Sequence, residues 1–233
     1  MPVRRPDPAA GVFETLLIAD GQPVALERHL MRLERSVATL YGQRLPSALA
    51  ERIRETAAGS VRGRMRVDFR PAGVTMTVRP VGERTVPLRL VPCTVPGGLG
   101  EHKWADRELL DALGADGEPL LCDLDGLVLE TARGNLFAVV GRRRLLTPPT
   151  DGRILPGVTR ARVIELAEQL GLEVHSGPLT LTRVREADEL FVTGAIGGVE
   201  PACLKDGPSP AADTAERLAH ALGRRALTSV GSV

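Results

Sequence analysis

Lysine is nearly absent from this chain: its basic residues are almost all arginine, and Lys103 and Lys205 are the only two lysines in 233 residues. A guanidinium stays protonated and cannot form a Schiff base, so a lysine kept for covalent amine chemistry is one that arginine cannot replace. Lys205 lies in Cys-Leu-Lys-Asp-Gly, a turn sequence in which a solvated lysine is ordinary. Lys103 is the candidate amine, although composition alone does not separate function from accident.

Other residues could complete a site. Glu130 interrupts the apolar run Leu127-Val128-Leu129-Glu130-Thr131. Facing inward it would need a cationic or protonated partner, such as a pyridinium nitrogen; facing outward it would be an ordinary solvated carboxylate. Leu155-Pro156-Gly157-Val158-Thr159 at a helix start and Thr193-Gly194-Ala195 at a strand end have the composition of anion cradles. The first combines amides, the helix dipole and a hydroxyl, but it could equally be a plain helix cap. Arg32 is a phosphate ligand or a solvated helix charge, and Trp104 is core or pocket wall. His29, His102, His175 and His220 share no metal-ligand spacing, and no Ser/His/Asp order suggests hydrolysis.

The elements that must position these residues follow from periodicity. Gly11 to Ile18 is expected to be a strand, turned at Asp20-Gly21 into a short hairpin partner at Pro23-Val24-Ala25. Leu26, Leu30, Leu33, Val37 and Leu40 recur at helical spacing up to Gly42, with His29 and Arg32 beside the stripe. A second helix over 46–58 and strands over 64–69 and 74–78 complete an α/β first third. The Pro- and Gly-rich stretch 91–100 is expected to connect two units, giving a small domain over 1–82 and a larger one over 83–233 that carries Lys103. In the larger domain the patterns predict a helix near 105–113, strands at 119–122, 127–131 and 135–140, a helix over 159–170, strands at 172–175 and 189–193, and a last helix over 212–225.

Composition excludes several roles. With 43% apolar and 25% charged residues and a formal net charge of +1, nothing favours a nucleic acid or a membrane surface. Cys93, Cys122 and Cys203 are widely spaced, neither a disulfide framework nor a metal knuckle, and are expected to be buried or inert thiols. No stretch approaches transmembrane length, and the first residues lack the apolar core of a signal peptide, so a cytoplasmic location is expected.

Taken in order, Gly-Val-Phe-Glu-Thr at 11–15, His29-Leu30-Met31-Arg32-Leu33, Lys103, the run Asp125 to Phe137, Thr147-Pro148-Pro149 and Leu155 to Arg160 resemble the fold-type IV (class IV aminotransferase) pyridoxal-phosphate enzymes over nearly the whole chain. The resemblance implies an α/β (α+β) fold, with a small α/β N-terminal domain and a larger strand-rich pseudo-barrel domain, pyridoxal 5'-phosphate between them and a homodimer as the assembly. It assigns Lys103 as the Schiff-base lysine and Glu130 as the carboxylate that keeps the ring nitrogen protonated. Arg32, Val158, Thr159, Gly194 and Ala195 become phosphate ligands. The ten residues before Gly11 leave little room for the opening strand of the family pattern.

Within the family the chain is similar to 4-amino-4-deoxychorismate lyase. Branched-chain aminotransferases carry a glycine-rich, tyrosine-bearing sequence directly after the lysine, whereas this chain has Lys103-Trp104-Ala105-Asp106-Arg107 and its one tyrosine is Tyr41. The expected reaction releases p-aminobenzoate and pyruvate from a small-molecule substrate. The alternatives are a D-amino-acid, branched-chain or amine transaminase, and a cofactor-binding paralogue without turnover.

Overall fold

The computed structural model describes residues 4–82, 85–141, 143–208 and 211–228, with 224–228 described by backbone alone. Contacts divide these into two compact units, one over 6–82 with 102–107 and the other built chiefly from 85–101 and 108–224.

The smaller unit is a four-stranded antiparallel sheet backed by two helices. Strand β1 (Val12–Ala19) turns through Asp20 and Gly21 into β2 (Gln22–Pro23). Both turn residues have positive φ, 50° and 75°, the geometry of the hairpin turn whose twist matches the strands and for which Asp-Gly is suited. Helix α1 (Leu26–Tyr41) ends at Gly42, and α2 (Leu49–Ala58) leads into β3 (Arg62–Arg70) and β4 (Gly73–Arg79), giving the order β2-β1-β3-β4. Successive strand residues face opposite ways, so Val12, Leu16 and Ile18 of β1 and Met65, Val67 and Phe69 of β3 meet Leu26, Leu33 and Val37 of α1 and Leu49, Ile53 and Ala57 of α2 in one core.

The larger unit is an eight-stranded mixed sheet with helices outside. Its strands are β5 (Leu88–Thr94), β6 (Glu118–Cys122), β7 (Val128–Thr131), β8 (Asn135–Val140), β9 (Arg144–Thr147), β10 (Glu173–Ser176), β11 (Glu189–Gly194) and β12 (Gly198–Leu204). The order is β10-β9-β8-β11-β12-β5-β6-β7. The three residues 132–134 return β7 to the side of β8, where the Thr131 amide donates to the Gly134 carbonyl at 2.8 Å. Leu136 and Ala138, Leu190 and Val192, Ala202, Leu88 and Leu90, Leu120 and Cys122, and Val128 form a single apolar cluster. All six strands from β8 round to β7 therefore contribute to one interior, as in a barrel. The alternate residues of β8 and β11, Phe137, Val139 and Phe191, face outward against α4 (Val158–Gln169) and α6 (Asp213–Thr228). Strands covered on both faces are continuous apolar runs rather than alternating ones, as Leu136 to Val140 shows. Short helices α3 (Glu108–Leu113) and α5 (Leu181–Arg185) complete the unit.

Three sequence expectations differ from this structure. The stretch expected to begin a connection at 91 is strand as far as Thr94; beyond Leu90 only β6 pairs with β5, so Pro92, which lacks an amide proton, is tolerated there. The helix expected from 105 begins at Glu108, because Trp104 bridges to Val12, and Phe13 and Ala105 donate their amides to Lys103 and Gly11. The same pairing attaches 102–107, and Lys103 with it, to the smaller unit rather than to the larger domain to which the sequence assigned it. Strands β9 and β12 and helix α5 were not foreseen.

Candidate active site

Lys103 is held by its backbone along β1. Gly11, whose carbonyl accepts the Ala105 amide, is restricted to glycine by its other side: its φ is +94°, and a Cβ there would lie 2.2 Å from the Phe69 carbonyl oxygen of β3. The Lys103 ammonium stands 5.0 Å from the centre of the Phe13 ring, and the guanidinium carbon of Arg66 lies 3.7 Å from the same ring. Both are cation–π distances. The adjacent His102 ring contacts Ser36 Oγ at 3.0 Å and meets Trp104 edge-on.

In the same unit, Arg32 and His29 are buried rather than solvated, because Glu14 shares the core-facing phase of β1 with Val12, Leu16 and Ile18. Arg32 donates from Nε to Glu14 Oε1 at 2.7 Å and from Nη2 to Oε2 at 2.8 Å, and His29 Nδ1 meets Oε2 at 2.7 Å. Burial alone would raise the Glu14 carboxyl, but the Arg32 charge and the bonds from His29 and Arg32 outweigh it and hold the carboxyl at about 2. Burial lowers His29 below its usual value despite the Glu14 carboxylate, leaving the imidazole neutral at pH 7.

The larger unit gathers the remaining candidates around one residue that the sequence did not single out, Asn135. Glu130 is buried, and its Oε2 accepts from the Leu155 amide at 3.2 Å and from Asn135 Nδ2 at 3.4 Å. Asn135 Nδ2 also donates to the Leu155 carbonyl at 2.9 Å, and the Asn135 backbone carbonyl accepts from Thr193 Oγ1 at 3.3 Å. Asn135 thus joins the carboxylate, the turn that opens α4 and the end of β11. Helix α4 starts at Val158, capped by no side chain from Gly157, with Thr159 buried in its first turn. Arg160 fixes that start by donating from Nη2 to the Pro148 carbonyl and to Ser176 Oγ, both at 2.9 Å. Gly194 and Ala195 open the tight turn from β11 to β12, where a Cβ on Gly194 would be 3.3 Å from the Arg133 carbonyl. The expected anion cradles are therefore a helix amino end and a hairpin turn, both tied to β8.

The sequence left Glu14 and Asn135 without roles. Glu14 had a signal, an acid on the apolar phase of a strand followed by a basic pair at i and i+3 on a helix stripe. The signal for Asn135 was fainter, an amide opening an apolar strand. Cys93, Cys122 and Cys203 are free thiols, and burial pushes Cys122 up to about 11, so it is inert. Among the described residues no acidic, histidine or cysteine cluster could hold a metal ion, and no helix is long and apolar enough to cross a membrane.

An amine, a buried carboxylate and a helix amino end free of a side-chain cap are kinds of group that could hold a phosphorylated carbonyl cofactor. The model of the class IV amino-transferases matches residues 11–85 and 100–203, and the chain belongs to that family, the fold-type IV pyridoxal-phosphate enzymes. It is 30% identical over 211 residues to a probable branched-chain-amino-acid aminotransferase of Thermotoga maritima, covering 82% of this chain and 75% of that one. The branched-chain-amino-acid aminotransferase of Escherichia coli K12 is 38% identical over 90 residues, which is 39% of this chain and 29% of that protein. Several of the curated relatives are matched in this way, over less than a third of their length. A crystal structure of 4-amino-4-deoxychorismate lyase from Pseudomonas aeruginosa has the same fold, with a TM-score of 0.74 and 23% identity over 92% of this chain and 89% of that one.

Proposed function

We propose that this chain is a pyridoxal-phosphate lyase that converts 4-amino-4-deoxychorismate into p-aminobenzoate and pyruvate. The supporting observation is the segment that carries the lysine. Lys103 to Arg107 is pinned to β1 and bears an acid and a base, with no tyrosine and no glycine. The chain's one tyrosine is spent elsewhere, donating to the Pro8 carbonyl at 2.8 Å and tilted on Phe69.

The residues fit the cofactor. Lys103 supplies the amine that holds its aldehyde. Glu130, whose Oε2 accepts from two N–H donors, is suited to hold a proton on a ring nitrogen. The Val158 amide, the Thr159 hydroxyl and the Gly194-Ala195 turn offer donors to a phosphate, together with Arg32. The cofactor, when bound, supplies an electron sink for negative charge on the carbon that bears the substrate amine. Lys103 Nζ is the group that would take the proton from that carbon. Cleavage of the ring C–O bond expels the side chain as enolpyruvate and aromatises the substrate ring, and protonation of the enolpyruvate methylene carbon gives pyruvate. We further propose a homodimer, which light scattering of the purified chain would test.

A transaminase is the second reading, favoured by the names of the curated relatives. The two differ in what they consume. With aminodeoxychorismate alone, the lyase forms pyruvate over many turnovers with no amino acceptor. A transaminase gives none and stops after one equivalent of amino donor until a keto acid is added. The second pattern would overturn the lyase reading.

A further inference from the structure

We propose that Glu14 is a positioning residue that fixes which edge of the Arg32 guanidinium meets an anion and which ring nitrogen of His29 carries the proton. The proposal rests on the reading above that Arg32 binds the cofactor phosphate. Glu14 is 2% exposed on the apolar face of β1, where a carboxylate is costly unless fully paired. Among the described residues, the side-chain hydrogen bonds to its carboxylate come from α1, where the spacing of His29 and Arg32 places both on one helix face.

The Arg32 pair is side-on and bidentate, through Nε and Nη2. A guanidinium is a planar fork, so committing those two nitrogens to one carboxylate locks its plane and turns the Nη1 side away from Glu14. A phosphate meeting Arg32 must come from that side. An ionised carboxylate only accepts, so the 2.7 Å contact at His29 Nδ1 puts the proton there and leaves Nε2 as an acceptor. Glu14 thus orients two side chains.

A plain counter-charge would behave differently. If Glu14 only neutralised Arg32, removing its charge would strengthen the attraction for a dianion. If Glu14 positions Arg32, removing it weakens binding. Glu14→Gln separates the two. A carboxamide presents one acceptor and one donor to a guanidinium that only donates, so one of the two bonds becomes a donor–donor contact and the fork turns. Glu14→Asp keeps the charge but withdraws it by one methylene.

The test compares dissociation constants of pyridoxal phosphate and of pyridoxal, which lacks the phosphate, on the full chain. In Glu14→Gln the preference for the phosphorylated form falls about 10-fold or more, equivalent to about 1.4 kcal/mol, while pyridoxal affinity holds within about 2-fold. In Glu14→Leu, which removes the acceptor facing Nδ1, nitrogen-resolved NMR finds the His29 proton no longer confined to Nδ1, and a proton still confined there overturns the His29 half of the proposal. Glu14→Asp loses part of the preference and keeps the Nδ1 proton, and it carries the test if the glutamine variant does not fold. An unchanged or increased preference in the glutamine variant, or in the aspartate variant where it stands in, overturns the proposal. Arg32→Ala is the separate control. If it leaves the preference intact, the reading of Arg32 as a phosphate ligand is the part that fails.

Discussion

Gly157 is glycine for its side chain, not its backbone. Its φ of −65° and ψ of 128° are extended values that any residue adopts. A Cβ there would lie 2.0 Å from Asn135 Oδ1 and 3.1 Å from Arg160 Cβ, so Gly157→Ala must drive Asn135 away. Asn135 then abandons the Leu155 carbonyl and Glu130. One neutral hydrogen bond is worth about 1 kcal/mol, the long contact to the carboxylate less, and overpacking adds about 1–3, for a total of about 3 kcal/mol. For a chain of this size that lowers the melting temperature by about 10 °C. Calorimetry of Gly157→Ala should show this fall, whereas Gly59→Ala, whose Cβ would meet nothing within 4 Å, should change stability by less than about 1 kcal/mol. In an Asn135→Ala background the collision with Asn135 disappears and only the 3.1 Å contact with Arg160 Cβ remains, so Gly157→Ala should then cost under about 1 kcal/mol. Equal costs in both backgrounds would refute Asn135 as the link between Glu130 and the start of α4.

Two further outcomes follow from the buried charges. The pH dependence of stability has a definite sign. His29 titrates lower folded than unfolded, so stability is lost as pH falls below about 6.5. Glu14 is held at about 2 rather than 4.5, an advantage of about 3 kcal/mol that is present above 4.5 and lost as pH falls from there toward 2. Urea titrations from pH 8 to pH 3 should show both losses, and Glu14→Gln should remove the second; a flat profile would refute the triad's charge state. Glu130→Gln should retain the cofactor, since a glutamine oxygen still accepts from the Leu155 amide, but lower turnover by about 100-fold or more. Near-normal turnover would reduce Glu130 to a structural acceptor.

Much of the framework was legible because local pattern and tertiary role agree. The Asp20-Gly21 turn, the stripe of α1 ending at Gly42 and the apolar runs of β8 and β11 all follow from period and turn chemistry. Strand β12 was hidden because glycines at its start and Pro201 within it resemble a loop, yet its pairing with β11 and β5 makes it a central strand. Strand β9 opens on Arg144 directly after two further arginines, a charged start that resembles a loop. At the site, Lys103 stood out by type and Glu130 by an acid in an apolar run. Arg32 stood out only by motif; its partner Glu14 had a local signal, an acid on the apolar phase of a strand, but the pairing with α1 exists only once the helix packs on the sheet.

The central claim is that Lys103 is the amine that holds the cofactor. The direct measurement loads the purified chain with pyridoxal phosphate, reduces it with borohydride and maps the modified peptide by mass spectrometry. The reduced cofactor should be found on Lys103, and Lys103→Arg should abolish attachment. Attachment at Lys205, which lies exposed 3.7 Å from Asp116, or at no lysine would contradict the account.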